Sequence, residues 1–459
     1  MQIISNIYPS FVKFHCQIII NTNLLKKYYN FFYERYTGEN RSEFFWFAAG
    51  YVINFIMGFV IIKILSNLGT DEYGKYALII TIANFFGLTF FGPFTQSFNR
   101  FFYTYNGTKN FDKFIKVETN LFKVVISAVI VLTLALTPLA DFFSLSVSFI
   151  ILTGLFIISF KINESTLTLL NILRKRKLNS VILILEKIVL ISSFALFLLN
   201  GKLDLINTLI IFNIFYLLFA FLRISYYKKN VSNNYEIEKP LSKQEIKKEI
   251  YAYVLPFIVW GQASWLQLNG EKWIIADILS TSDVGIYAVM ISLVNALISI
   301  PGNYISEFLA PIIFKNFSDL NNKENVNIGI NYIKINIAVI AVLTVCVTLF
   351  MFFFGYEMII IISSRSFASY SYLLPLLSLG VGLFNIGQAM TTLGLGFNKP
   401  KIYLAPKLIV GVLSLAANIF FVLWFGIDGI AYSSLLIGIF YITATYLANK
   451  IKLLNPNNV

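Results

Sequence analysis

The stretch EYGKYALIITIAN, residues 72–84, recurs as DVGIYAVMISLVN at residues 283–295, with an offset of 211 residues throughout. Gly74 and Asn84 recur as Gly285 and Asn295. Each stretch begins in a polar loop and enters an apolar run, so apolar composition alone does not account for the shared glycine and asparagine. A constant offset between such stretches indicates a duplicated unit. The sequence therefore predicts two structural repeats.

Twelve apolar runs surround and include these stretches. The chain is 57% hydrophobic and 13% charged, whereas a soluble domain has about a quarter charged residues. About 20 apolar residues cross a bilayer as a helix, and backbone groups in lipid must bond within the helix. The runs are 44–66, 76–99, 118–140, 143–164, 178–200, 204–226, 251–275, 284–310, 329–354, 370–396, 402–424 and 427–448. We predict an all-α polytopic membrane protein with about 12 transmembrane helices, in two parallel six-helix repeats around a central cleft.

The runs and the repeat divide the chain into five parts. We predict a cytoplasmic or interfacial extension, a first six-helix bundle, a basic cytoplasmic connector, a second six-helix bundle and a cytoplasmic tail. Their boundaries are 1–43, 44–228, 229–249, 250–450 and 451–459.

The 36 lysines and arginines indicate the orientation of the chain. With a cytoplasmic N-terminus, most of them fall on the cytoplasmic side, including Lys161 and Arg223. The opposite loops then hold four basic residues, Lys75, Lys202, Lys272 and Arg365. Because cytoplasmic loops are enriched in basic residues, we predict that both termini are cytoplasmic. The net charge of +13 lies in clusters between apolar runs, so we expect no nucleic-acid partner.

Residues for metal or nucleophilic catalysis are scarce. The chain has one histidine, His15, and two cysteines, Cys16 and Cys346. Two cysteines so far apart form no metal-binding motif, and His15 has no partner carboxylate nearby. We therefore expect neither an enzyme nor a cofactor.

Three short segments resemble a known family. ILSNLGTDEYGKYALI, residues 64–79, resembles the first loop of bacterial polysaccharide flippases of the O-antigen type, which has the pattern Leu-Gly-x-x-x-x-Gly-x-Tyr. FGIDGIAYSSLL, residues 425–436, resembles the start of their last helix, and residues 398–400 resemble the turn before helix eleven. With the helix count and the basic connector, the resemblance covers about residues 44–452.

This resemblance implies membership of the multidrug, oligosaccharidyl-lipid and polysaccharide exporter superfamily. It implies flipping of a polyprenyl-pyrophosphate-linked oligosaccharide repeat unit across the bacterial cytoplasmic membrane by alternating access, without a cofactor. Coupling to a proton or sodium gradient is compatible with it. The implied partners are the lipid-linked glycan, membrane lipids and other polysaccharide assembly proteins. The absence of a P-loop motif agrees with a transporter that does not hydrolyse ATP.

Polar residues inside the predicted helices are candidates for the substrate path. Lys187 and Lys407 lie in equivalent helices of the two repeats, where they would provide positive charge for a pyrophosphate. The alternative is that their long side chains extend to the membrane surface or, for Lys187, that it forms an ion pair with Glu186. Gln267, Asn385 and Gln388 lie in polar stripes, which either line a sugar path or join neighbouring helices.

Three more residues complete the predicted path. Asn418 continues the helical face of Lys407. Arg100 and Glu307 lie near matching ends of helices two and eight, where either residue would gate the cytoplasmic opening. The alternative for Arg100 is that it only anchors the helix end.

Two other functions remain open from the sequence. A cation-coupled multidrug antiporter of the same superfamily would share the fold. A membrane glycosyltransferase or polymerase would be expected to carry an acidic or histidine constellation and a large outer loop. The outer loops here are short and hold no paired-carboxylate motif, so the sequence favours the flippase.

Overall fold

The structure, a computed structural model, describes residues 39–140, 145–231, 241–317 and 320–453. Most of the predicted N-terminal extension, residues 232–240 of the connector and residues 454–459 of the tail lie outside this part of the chain. Within it there are twelve long helices and no β-strand. They are α1 Glu39–Leu65, α2 Thr70–Tyr105, α3 Phe111–Leu136, α4 Val147–Ile172, α5 Arg176–Leu199, α6 Leu205–Asn230, α7 Lys243–Ile278, α8 Thr281–Asn316, α9 Lys323–Ile362, α10 Leu374–Gly396, α11 Leu404–Phe425 and α12 Asp428–Lys452.

These helices match the twelve predicted runs in number and order, which confirms the fold class. Ten of the helices in the described part are long and apolar enough to cross a membrane. The protein is therefore a multi-pass membrane protein. Several helices extend beyond the apolar runs: α7 begins at Lys243 rather than at residue 251, and α9 ends at Ile362 rather than at residue 354.

Helix packing repeats between the two halves. In the first half, α1 packs on α5 and α4 packs on α6; in the second, α7 packs on α11 and α10 packs on α12. The same pairs of positions are thus in contact in α1–α6 and in α7–α12. This repetition confirms the two parallel six-helix repeats that the 211-residue offset predicts.

The halves meet where α2 and α8 begin, at the end of the bundle that we call the closed face. Gly74 of α2 lies against Gly285 of α8, and a Cβ atom on either glycine would be 3.0 Å from the backbone nitrogen of the other. Such a Cβ would also overlap the carbonyl oxygen of Thr281 or Thr70, respectively. These contacts are reciprocal, as expected for a contact on a twofold axis. Glycine thus allows the two helix backbones to touch.

Further contacts join the halves at the closed face. Lys63, at the end of α1, donates through Nζ to the carbonyl of Ile360 at 2.6 Å and to that of Ser363. The rings of Tyr73 and Phe367 meet edge to face with centroids 5.5 Å apart. Because all of these contacts cross from one half to the other, they hold the closed face shut.

Arg223 corrects the prediction that counts it among the basic residues on the cytoplasmic side. Because α6 continues to Asn230, Arg223 lies inside the helix and is fully buried. Its guanidinium is 2.7 Å from Oε2 of Glu186 and donates to Oδ1 of Asn163 at 2.5 Å. Asn163 in turn donates to Oε1 of Glu186 at 2.8 Å. This network joins α4, α5 and α6.

We predict that Arg223→Met strongly destabilises the protein. The substitution leaves the Glu186 carboxylate buried without a cation, which typically costs about 3–5 kcal/mol. Thermal unfolding in detergent should show a clearly lower midpoint, and adding Glu186→Gln should recover much of the loss. Arg100→Met, at an exposed arginine, is the matched control. Equal unfolding midpoints for the two single variants would contradict the structural role of Arg223.

Candidate functional site

A cavity of about 1000 Å³ lies between the two halves. In the first half α2 and α4 form its wall, and in the second half α7, α8, α10, α11 and α12 do. It extends from Tyr73 and Tyr287, near the closed face, to Asn99 and Asn303, near the opposite end of α2 and α8. We call that opposite end the basic face, because the loops with most of the predicted cytoplasmic lysines and arginines lie there. Asn303 is exposed.

Neutral polar side chains dominate the wall of the cavity. Ten carboxamides line it: Asn84, Gln96, Asn99, Gln267, Asn269, Asn295, Asn303, Asn385, Gln388 and Asn418. Hydroxyl groups of serine, threonine and tyrosine lie among them. A carboxamide both donates and accepts hydrogen bonds, so this wall matches a ligand that has many hydroxyl groups.

Lys161 is one of two cations in the wall. It lies in the middle of α4 and is buried, with Nζ 2.8 Å from Oε2 of Glu164 and donating to Oδ1 of Asn84 at 3.0 Å. A Cβ atom on Gly87 would be 2.8 Å from Cε of Lys161. The missing side chain at Gly87 therefore makes room for the lysine beside α2.

Lys272 is the other cation in the wall. Its Nζ is 3.8 Å from Oε1 of Glu271 and 5.9 Å from the centre of the Tyr287 ring. Lys272 lies three residues after Asn269 on α7, so both face the same side of that helix. Asn269 accepts from Nδ2 of Asn84 at 3.4 Å.

Hydrogen bonds thus link Lys161, Asn84 and Asn269, and Lys272 lies one helical turn beyond Asn269 on α7. We call these four residues the cation–amide row. The row begins in the first half of the bundle and ends in the second. Each lysine has a carboxylate partner on its own helix, Glu164 or Glu271. The four charged groups that line the cavity therefore balance.

Four of the residues predicted from the sequence line the cavity: Gln267, Asn385, Gln388 and Asn418. Asn385 donates to Oγ of Ser299 at 3.1 Å, which joins α10 to α8. Gln388 accepts from the hydroxyl of Tyr441 at 2.7 Å, and Asn418 accepts from Ser433. These bonds hold the amides of the second half in place.

The other four predicted residues do not line the cavity. Arg100 is exposed and follows the lining residue Asn99 on α2. Glu307 is exposed on α8, one turn beyond the lining residue Asn303. Lys187 and Lys407 lie outside the wall, and Nζ of the buried Lys407 is 4.2 Å from the centre of the Trp260 ring.

Sequence reasoning missed Lys161 and Lys272 because both lie near the ends of predicted runs, 143–164 and 251–275, and were counted with the charges that set the orientation. Because α4 continues to Ile172, Lys161 lies in the middle of that helix. Lys272 lies within α7, which continues to Ile278. Spacing was the available signal, since Lys161 and Glu164 are three residues apart and so face the same side of a helix. Among the described residues, no group of three or more metal-ligating side chains is assembled.

The comparisons with known proteins agree with this architecture. No protein-family model and no curated protein sequence matches the chain. The MurJ lipid II flippase in an inward closed conformation superposes with a TM-score of 0.65 and 16% sequence identity, over 88% of this chain and 87% of that one. The chain therefore shares its fold with this flippase. An inward-facing MATE multidrug transporter superposes with a TM-score of 0.62 and 13% sequence identity, over 86% of this chain and 92% of that one.

A transporter of the same superfamily from Pyrococcus furiosus gives a TM-score of 0.58 and 12% identity. The alignment covers 88% of this chain and 93% of that one. All three neighbours thus share the fold along nearly their whole length. Flippases and drug transporters both occur among them, so the substrate must be argued from the cavity itself.

Proposed function

We propose that this protein flips a polyprenyl-pyrophosphate-linked oligosaccharide across the bacterial cytoplasmic membrane by alternating access. The observation that carries the proposal is the cavity between the halves, with its ten carboxamides and the cation–amide row. The lipid-linked glycan combines a sugar part, a pyrophosphate and an apolar chain. Each part finds matching chemistry in a different region of the protein.

The pyrophosphate matches the cation–amide row. Two ammonium groups and two amides supply donors to several phosphate oxygens, and charge-assisted hydrogen bonds of this kind are the stronger ones. Lys161 and Lys272 are paired with Glu164 and Glu271. An entering pyrophosphate replaces these carboxylates as partner of the lysines. Because the row begins in one half and ends in the other, the ligand contacts both halves.

The sugars match the remaining amides and hydroxyl groups. Ligand pockets for drug-sized molecules have volumes of about 300–1,000 Å³, and this cavity of about 1000 Å³ is at the upper end of that range. A polar wall of this size suits a glycan head group better than a small apolar drug. The polyprenyl chain is apolar and remains in the bilayer, whose hydrocarbon core matches it.

We infer the orientation from the positions of the basic residues. The basic face lies in the cytoplasm under the positive-inside rule, and both termini are then cytoplasmic. The closed face, with Gly74, Gly285 and Lys63, points outward. In this conformation the cavity is sealed on the outside and extends toward the cytoplasm, where a lipid-linked precursor would be loaded. Arg100 and Glu307, just beyond the lining residues, are placed to contact a substrate as it enters.

A multidrug antiporter is the second candidate, since MATE transporters share the fold. Its supporting observation is the presence of two carboxylates in the wall, Glu164 and Glu271. A cationic drug would have to displace the lysines that already bind these carboxylates. A pyrophosphate likewise replaces the carboxylates, so the ten carboxamides that match sugar hydroxyl groups are what favour the flippase.

Reconstituted vesicles separate the two functions. We expect the purified protein to move a fluorescent polyprenyl-pyrophosphate-linked oligosaccharide between leaflets faster than protein-free vesicles do, as measured by quenching of the outer leaflet. We expect no transport of ethidium in the same vesicles under an imposed ion gradient. Ethidium transport without glycan flipping would establish the antiporter and contradict our proposal.

A further inference from the structure

Glu118 is a buried carboxyl group that the proposed substrate path does not use. It lies on α3 and is 2% exposed, with its Oε1 atom 2.5 Å from Oγ of Ser97 on α2. Its second oxygen, Oε2, is buried and has no hydrogen-bond partner within the described residues. An ionised carboxylate in a membrane span normally faces water or a cation.

Among the described residues, no cation pairs with Glu118. The helices packed on α3 are α2, α4 and α7. Several of their ionisable groups have other partners: Glu249 of α7 accepts from Tyr105 of α2, Lys161 of α4 pairs with Glu164, and Lys272 of α7 pairs with Glu271. Arg100 of α2 and Lys116 and Lys123 of α3 are exposed, and Lys113 donates to the carbonyl of Leu241.

The hydrogen bonds around Ser97 favour a neutral Glu118. Oγ of Ser97 is 3.1 Å from the carbonyl oxygen of Phe94 and 2.5 Å from Oε1 of Glu118. A serine hydroxyl has a single proton and can donate to one of these oxygens only. Both bonds form together when Ser97 donates to Phe94 and a protonated Glu118 donates to Ser97. Hence the geometry accommodates a proton on the carboxyl group.

Ser97 also places Glu118 directly behind the cavity wall. Its neighbours Gln96 and Asn99 line the cavity, whereas Ser97 is fully buried on the other side of α2. This part of α2, Gly92–Tyr105, follows a π-helical segment, Gly87–Phe91. Such segments interrupt the regular hydrogen bonding of a helix and frequently occur at functional sites. We call Gly92–Tyr105 the wall segment, and the π-helical segment separates it from the first part of α2.

We propose that Glu118 is a proton-binding site that couples proton uptake and release to the position of the Gly92–Tyr105 wall segment. The proton binds to the carboxylate and leaves to water; no other bond changes. The neutral form holds the wall segment against α3 through Ser97. The ionised form requires water, which separates α2 from α3 and shifts the equilibrium between closed and open conformations. This proposal rests on the proposed transport cycle, to which it adds the coupling ion.

Spin labels at the closed face test the coupling without any substrate. Asn67→Cys on the first half and Ser369→Cys on the second are exposed positions there, in a background with Cys16 and Cys346 replaced by serine. The distance between the labels is measured by pulsed electron paramagnetic resonance between about pH 5 and pH 9. One coupled proton changes the conformational equilibrium by up to about tenfold for each pH unit.

We expect the distance distribution of the otherwise native protein to change with pH. Glu118→Gln should give one distribution at every pH, equal to the low-pH distribution of the native chain. Glu324→Gln, the same change at an exposed glutamate, should keep the native response. Ser97→Ala removes the bonding partner but keeps the carboxyl group, so it should still respond to pH, with a displaced midpoint.

Two results would overturn the proposal: a native distribution that does not depend on pH, or a Glu118→Gln protein that responds to pH as the native chain does. Failure of the glycan-flipping assay would leave this measurement intact, because it contains no glycan. Size-exclusion chromatography shows whether the Glu118→Gln protein is misfolded. If it is, the Ser97→Ala protein decides: an unchanged pH midpoint of its distance distribution would contradict the proposal.

Discussion

Lys161→Met is expected to slow glycan flipping about ten- to a hundredfold, because hydrogen bonds to charged groups contribute about 1.5–3 kcal/mol each. Nζ of Lys161 is at the first-half end of the cation–amide row, 3.0 Å from Asn84. Without Lys161 the pyrophosphate has one cation fewer to bind, and the unpaired carboxylate of Glu164 repels it. The rate is measured in the vesicle assay at equal protein density. Adding Glu164→Gln removes the repulsion and should recover part of the rate.

Lys407→Met is the matched control for this prediction. Lys407 is also a buried lysine in a helix, but its ammonium group lies over Trp260 and outside the cavity. We expect its replacement to change flipping much less than Lys161→Met does. The opposite order of effects would place the pyrophosphate near Lys407, as the sequence pattern alone suggests, and would contradict the assignment to the cation–amide row.

Gly74→Val is expected to prevent closure at the closed face and to abolish most flipping. The added side chain would overlap the carbonyl oxygen of Thr281 and the backbone of Gly285. Backbone atoms of a packed helix cannot move aside as a flexible side chain does. Overpacking of this kind costs about 1–3 kcal/mol or more, so the closed population falls roughly ten- to a hundredfold. The spin-label distance between positions 67 and 369 should lengthen.

The reciprocal contact provides a second test of the same site. Gly285→Val should have the same effect as Gly74→Val, and the double variant should add little, because either side chain alone separates the helices. Gly58→Val on α1 is the control, since nothing lies within 4 Å of the added Cβ. Normal closure and normal flipping in Gly74→Val would show that this glycine pair is not the outer seal.

The sequence predicted the repeat but not how the repeated residues meet. Gly74 and Gly285 were found by comparing the chain with itself, yet only the fold shows that they touch each other. Asn84 and Asn295 recur at the same offset, and both line the cavity. A residue that recurs in both halves can therefore lie either at the contact between the halves or in the cavity wall, and the sequence alone does not distinguish the two positions.

The positions of charged residues were harder to predict. An apolar run ends where charge appears, but a helix continues as long as its backbone bonds can form. Lys161 and Arg223, near the ends of predicted runs, were therefore counted with the cytoplasmic charges, although both are buried inside helices. A lysine that faces a cavity and an arginine that faces Glu186 need no membrane surface. The partner of Arg223, Glu186, is distant in sequence, and the partner of Lys161, Glu164, lies one helical turn away. The apolar composition of a run does not reveal either pairing.

Amides were predicted more successfully than charges. Gln267, Asn385, Gln388 and Asn418 were selected because they lie in polar stripes at helical spacing, and all four line the cavity. A carboxamide far from both ends of a span cannot reach the membrane surface, so it must find a partner inside the protein. A lysine side chain is longer and can place its ammonium group in several surroundings. The same reasoning therefore placed Lys187 and Lys407 in the cavity wall, which neither of them lines.

Photo-crosslinking from the cavity tests the central claim, that the glycan passes between the two halves. Benzoylphenylalanine is introduced at Phe384, which lines the cavity, or at Phe353, which is 68% exposed on the outside of α9. Both positions hold phenylalanine, so the perturbation is similar. We predict that illumination attaches a radiolabelled polyprenyl-pyrophosphate-linked oligosaccharide at position 384 and not at position 353, and that excess unlabelled glycan prevents it. Attachment at 353 with none at 384 would contradict the account.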